Sequence, residues 1–162
     1  MRTRKYKIEN LVPMFLKAAQ LRQEMRQLGF TDNGGAIHSA ERIIDILGLC
    51  LKYPHLTHRN SLKRCEGAEC SESALVALQK GLPVHIEHVN PLRAFTIKAI
   101  EIAKIEERGA DRRVISFVKR NYRLVLLTPT ERSSLDRKNR SKMDPDRLAG
   151  IKIVKRKRPT RK

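Results

Sequence analysis

The run Val84-His85-Ile86-Glu87-His88-Val89-Asn90-Pro91 constrains the fold more than any other stretch, because apolar and polar residues alternate along it and a proline then closes it. Alternation with period two is the pattern of a half-buried strand. Successive strand residues point to opposite faces, so Glu87 and His88 can serve one metal ion or phosphate only where the strand bends or ends. Asn90-Pro91 supplies such an end, since the residue before proline avoids the helical region and proline suits a first helical position. The segment is therefore the leading candidate for an active site.

The N-terminal half has the helical period instead. Leu11, Phe15, Ala18, Ala19, Leu21 and Met25 recur at three- and four-residue steps, which predicts a helix from about Ile8 to Leu28 closed by Gly29. A second helix follows the turn Thr31–Gly35 and carries Ile43, Ile44, Ile46, Leu47, Leu49 and Cys50 to about Tyr53-Pro54. From His55 to Cys70 the chain is polar and loop-like. Ser71 then opens a short helix, Ala74 to Lys80, with Gly81 as its cap. Beyond Pro91, Leu92 to Ile105 read as a helix ended by Gly109, and Asp111 to about Lys119 as another. Tyr122 to Thr128 is a compact β-type run, and Thr128-Pro129 starts a final helix over Glu131 to about Arg140.

The 162 residues suffice for a domain with a real core. The formal net charge is +18, from 35 Lys and Arg against 17 Asp and Glu. Such an excess points to a phosphate polymer as partner, although ribosomal, membrane-surface and heparin-like roles share the sign. Only 4% of residues are aromatic and none is tryptophan, so base-stacking platforms for single strands are scarce and a duplex is favoured, with DNA the expected partner before RNA. The basic N-terminus lacks the apolar run of a signal peptide, and no segment approaches a membrane span. Three cysteines, Cys50, Cys65 and Cys70, suggest a reducing, cytoplasmic setting without a disulfide framework. Cys65 and Cys70, with His55 and His58 upstream, have the residue types of a zinc site but an unconvincing spacing.

Phosphodiester hydrolysis needs a base to activate water and a cation to offset charge on the phosphate and leaving oxygen; His88 beside Glu87 offers both parts. Glu87-His88 on one strand, Leu124-Val125-Leu126-Leu127-Thr128 as a second and a helix from Pro129 together resemble the HNH or His-Me finger nucleases. The likeness covers roughly residues 82 to 152, including Arg140-Ser141-Lys142-Met143 and Ala149-Gly150-Ile151. It implies a ββα-metal fold, His88 as general base, and Glu87 as ligand to a divalent ion, Mg²⁺ or Mn²⁺, with Zn²⁺ as the other choice. The family draws a further ligand, His or Asn, from the helix after the second strand, where this chain has Arg132. Either Asn139 or Glu131 supplies that ligand, or Arg132 holds the phosphate itself. The residues between His88 and Tyr122 form an insertion between the finger's strands.

His85, two residues before Glu87, shares its face if the strand is regular and could support a ligand. Arg93, Lys98, Arg112, Arg113, Lys119, Arg120, Arg132, Arg137, Lys138, Arg140 and Lys142 flank the segment as a basic rim, and Lys155 and Arg156 add phosphate contacts from a charged end. The expectation is an α+β protein: a helical scaffold over 1–81, an HNH-like ββα region over 82–152 with a helical insertion, and a flexible basic tail over 153–162. The N-terminal helices are a candidate surface for a protein partner or a homodimer. The expected activity is metal-dependent endonucleolytic cleavage, and the rival is a non-catalytic nucleic-acid-binding protein that keeps a degenerate finger inside a larger assembly.

Overall fold

In a computed structural model, which describes residues 6–33, 35–138 and 140–157, the chain is mixed α+β. The described residues contain seven helices and a four-stranded mixed sheet. Two structural units arise from interleaved segments: Met1–Thr57 with Leu92–Tyr122, and His58–Pro91 with Arg123–Lys162. The division thus falls at Thr57 rather than near residue 81, and the inserted helices belong with the N-terminal ones.

The first unit holds four helices, α1 (Ile8–Gln27), α2 (Ala36–Lys52), α4 (Leu92–Ala103) and α5 (Ala110–Asn121). Each buries one stripe, as the period requires. Phe15, Ile37, Ile44, Leu47, Phe95, Val114 and Val118 are almost wholly removed from water. Phe95 lies against Phe117 with ring centres 4.9 Å apart, and meets Tyr122 edge-on at 5.9 Å. Tyr122 is buried, and its hydroxyl donates to the Asp45 carboxylate at 2.6 Å. Gly48 lies under that ring: a Cβ there would sit 2.2 Å from Tyr122 Cδ2. Met14, Leu21 and Leu28, spaced by seven along and just beyond α1, are exposed.

Two arginines expected at a phosphate rim, Arg93 and Arg113, make contacts within this unit. Arg93 pairs through Nε with Glu41 and donates from Nη1 to the Asp32 carbonyl at 2.8 Å. Arg113 donates to the carbonyls of Ala103, Lys104 and Arg108 at 2.8–3.1 Å, so a side chain closes the end of α4; the helix stops at Ala103, where Lys104 turns at φ 46°, and Gly109, expected to end it, instead caps the start of α5.

The second unit is built on the strands β1 (Glu69–Ser71), β2 (His85–His88), β3 (Leu124–Leu127) and β4 (Ile153–Lys155), in the order β2-β3-β1-β4. β3 is central, and all four of its residues are buried. This explains why it reads as an unbroken apolar run. β2 pairs with it antiparallel, β1 runs parallel to it, and β4 is antiparallel to β1. α6 (Pro129–Asp136) follows β3 and places Leu135 on Val125, Leu127 and Val89, with Leu148, Ile151 and Ile153 around them. Strand, strand and helix therefore assemble in the ββα order. Val89 N donates to Arg123 O at 3.0 Å, so the chain leaves the sheet and returns to it one hydrogen bond apart.

Two expectations change here. The segment 55–70 contains a 3-10 helix, Arg59–Arg64, and most of β1. The expected tail begins as β4: Lys155 pairs with Glu69, and Arg156 exchanges backbone hydrogen bonds with Gly67 and Ala68. The unmet backbone groups of β1's outer edge capture this basic segment despite its charge. No helix among the described residues is long and apolar enough to cross a membrane.

Candidate nucleic-acid interface

β2 is an edge strand, bonded to β3 on one side only, and all four of its residues are half-buried. Register decides where they point. His85 lies opposite Leu127 and Glu87 opposite Val125, so both share the face covered by α6; Ile86 and His88 lie opposite Leu126 and Leu124 on the other. Glu87 and His88 do diverge, as a regular strand demands. Both still line one cleft of about 330 Å³, because β2 is short and stands at the sheet's margin. Its other walls are Arg59, Asn60, Lys63, His85, Ile86 and Arg132.

Arg132 reaches the shared face from the first turn and a half of α6. A capping box fixes that helix: Thr128 Oγ1 accepts from Glu131 N at 3.3 Å, while Glu131 Oε2 accepts from Thr128 N at 2.9 Å. The same carboxylate oxygen accepts from Ser71 Oγ at 2.6 Å, and Ser71 itself caps α3 (Glu72–Gln79) by accepting from Ala74 N. So positioned, Arg132 Nε meets Glu87 Oε1 at 2.8 Å and lies 3.8 Å from Asp136 Oδ2, one helical turn on. Its Nη1 lies 3.2 Å from His85 Nδ1. A guanidinium can only donate, so His85 accepts at Nδ1 and its ring N–H is at Nε2.

The remaining basic residues divide sharply. Arg137 is exposed at the C-cap of α6, Lys138 donates to the Arg147 carbonyl at 2.7 Å, and Arg140 pairs with Asp136 at 3.1 Å. Lys155 is exposed on β4. Arg156 is half-buried, with a guanidinium that donates to the Lys63 carbonyl and so braces the 3-10 helix behind the cleft. Arg147 is buried behind α6, and burial pushes its guanidinium below the ordinary arginine range, with nearby Arg140 adding to the effect.

Arg59, Asn60 and Lys63 were hidden in a segment of loop-like composition. The signal was local: His58 Nδ1 accepts from Asn60 N at 3.1 Å, a side-chain cap at a polar helix start. That bond also gives His58 a structural task outside any zinc site. None of Cys50, Cys65 and Cys70 is in a disulfide, and burial raises the thiols of Cys65 and Cys70 above the ordinary range.

A divalent ion suits this donor set poorly. Among the described residues no three His, Cys, Asp or Glu side chains converge as a ligand group. Glu87 is paired with Arg132, and Glu131 is held in the capping box. Asn139 lies outside the described residues. What the cleft does assemble is cationic: Arg59, Lys63 and Arg132 against the single carboxylate of Glu87. Comparison of the chain with protein-family models, curated proteins and solved structures found no match.

Proposed function

We propose that this chain binds the phosphate backbone of nucleic acid, duplex DNA before RNA, through the cationic cleft beside β2. The observation that carries the reading is the convergence of Arg59, Lys63 and Arg132 on one polar cleft, in a chain of net charge +18. Three cations engaging three phosphates release counterions on binding duplex DNA, giving a slope of about −2.7 in log affinity against log salt. Fluorescence anisotropy with a short labelled duplex at several salt concentrations tests this. The Arg132→Gln protein should have a slope near −1.8. An unchanged slope in that variant would remove the cleft from the binding surface.

A second reading, hydrolysis, is favoured by one further observation: His88 lines the same cleft as the three cations. In that role the imidazole takes the proton from an attacking water, and the cations offset charge as the phosphorus–oxygen bond to the leaving group breaks. Supercoiled plasmid discriminates between the two readings. Nicking by wild type but not by His88→Ala establishes hydrolysis, and its persistence in EDTA separates it from the metal-dependent endonuclease that the finger resemblance implies. Retarded, intact plasmid from both proteins, with or without Mg²⁺ or Mn²⁺, leaves binding as the function.

A further inference from the structure

We infer that the Arg132 guanidinium is the cleft's built-in cation, so that the cleft takes a phosphate anion without any divalent ion and Glu87 and Asp136 act as positioning residues for that guanidinium. The inference rests on the phosphate-binding reading above and deepens it.

The geometry argues from both sides of the guanidinium. Towards the protein, Nε is held at 2.8 Å by Glu87, and Asp136 stands 3.8 Å away. Those carboxylates come from different elements, the edge strand and the helix, and a cation between them ties β2 to α6. His85 accepts from Nη1 at 3.2 Å and fixes the plane of the fork. His85 takes one Nη1 N–H and Glu87 pairs with the Nε side of the group, so the remaining Nη donors can face a ligand. The side chain is 44% exposed, so those donors are within reach of an incoming ligand. Planar N–H pairs match phosphate oxygens two at a time, which lysine's point charge does not. Lys63 and Arg59 add charge from the opposite wall, on a 3-10 helix that Arg156 braces from behind.

The arrangement accounts for an otherwise contrary feature, a carboxylate in an anion-binding cleft. Glu87 weakens the local positive potential, yet it aims the strongest donor in the cleft. Simple electrostatics and positioning therefore make opposite predictions for Glu87→Gln. Removing a negative charge alone tightens anion binding; releasing Arg132 loosens it.

The test follows the imidazole signals of His85 and His88 by NMR in the full chain, with inorganic phosphate as the probe and EDTA present. Wild type should show saturable shifts of both rings. Arg132→Gln should weaken phosphate by about tenfold, Arg132→Lys should restore only part of the affinity, and Glu87→Gln should weaken it by about threefold, the scale of one partly exposed ion pair. Unchanged methyl dispersion for Leu126 and Leu135 verifies the fold of each variant. Tighter binding by Glu87→Gln overturns the positioning role. Phosphate shifts that require added Mg²⁺, or stoichiometric broadening of the two rings by Mn²⁺ alone, overturn the metal-free assignment, as does the absence of any shift. Phosphate binding that persists while the duplex fails to bind would refute the nucleic-acid reading and leave the cleft's anion chemistry standing.

Discussion

Replacing Gly48 with alanine should destabilise this protein, against the usual benefit of that change in a helix. In an open helical position the alanine is favoured by about 1 kcal/mol. Here the added methyl carbon would lie 2.2 Å from Cδ2, 2.4 Å from Cε2 and 2.4 Å from Cγ of Tyr122, well inside the roughly 3.5–4.0 Å of an ordinary carbon contact. The ring has little room to retreat. It is 2% exposed, its hydroxyl is bonded to Asp45, and Phe95 and Tyr53 press edge-on at 5.9 and 6.4 Å. Overpacking of this severity costs about 3 kcal/mol, and pulling the hydroxyl from the carboxylate about 2 kcal/mol more. Less the helical gain, the net loss is about 4 kcal/mol, a large share of a typical total of roughly 5–15 kcal/mol. Urea unfolding with unchanged m-value reads it directly. The same substitution made in a Tyr122→Leu background should cost far less, because the two sites are in contact and their effects are not additive. A Gly48→Ala protein as stable as wild type, or a loss of equal size in both backgrounds, would refute the steric account.

The other expectations are briefer. Arg113→Ala strips the side-chain donors from the end of α4 and should cost about 2 kcal/mol in the same assay, whereas Arg112→Ala, on an exposed position of α5, should be near neutral. The Arg22 hydrogen bond, aided by the charges of Arg22, Arg26 and Arg93 and opposed by partial burial, holds the Asp32 carboxyl below its ordinary range. A lowered folded pKa means the contribution is fully present above about pH 4 and lost as pH falls through the folded value; Asp32→Asn should therefore flatten the acid limb of stability against pH, and an unaltered limb would dismiss the pair. Ending the chain at Gly150 removes β4 and should abolish the cooperative unfolding of the sheet unit, while ending it at Lys157 should preserve it, with circular dichroism as the readout.

The α-helices and the strands β2 and β3 were legible because each carries its own period. β2 alternates, β3 is apolar throughout, and Thr128-Pro129-Thr130-Glu131 spells its helix start. β1 and β4 were not, since three residues give no period and their pairing joins positions as distant as Cys70 and Val154. The same limit governed the site. His85, Glu87 and His88 announced themselves within one strand, and Arg132 stood out as a cation where a metal ligand was expected. Arg59 and Lys63 enter the cleft through a turn that only the folded chain brings to β2. Arg93 and Arg113 share their charge with Arg132 but bind Glu41 and helix carbonyls, and a sequence displays the sign of a side chain without its partner.

The pairing of β4 with β1 also sets an order of events during synthesis. β1 lies 84 residues before its outer neighbour, measured from Cys70 to Val154, and receives β3 on its other side only after the inserted helices have been made. The helices of the first unit are complete once Tyr122 has been added, whereas β1 lacks its outer neighbour until Ile153–Lys155 have been made. An unpaired strand edge invites pairing with other chains. The segment Ile153–Lys155 thus takes over from β1 as the margin of the sheet, and Lys155 sets a positive charge on the new edge, which disfavours pairing with other chains.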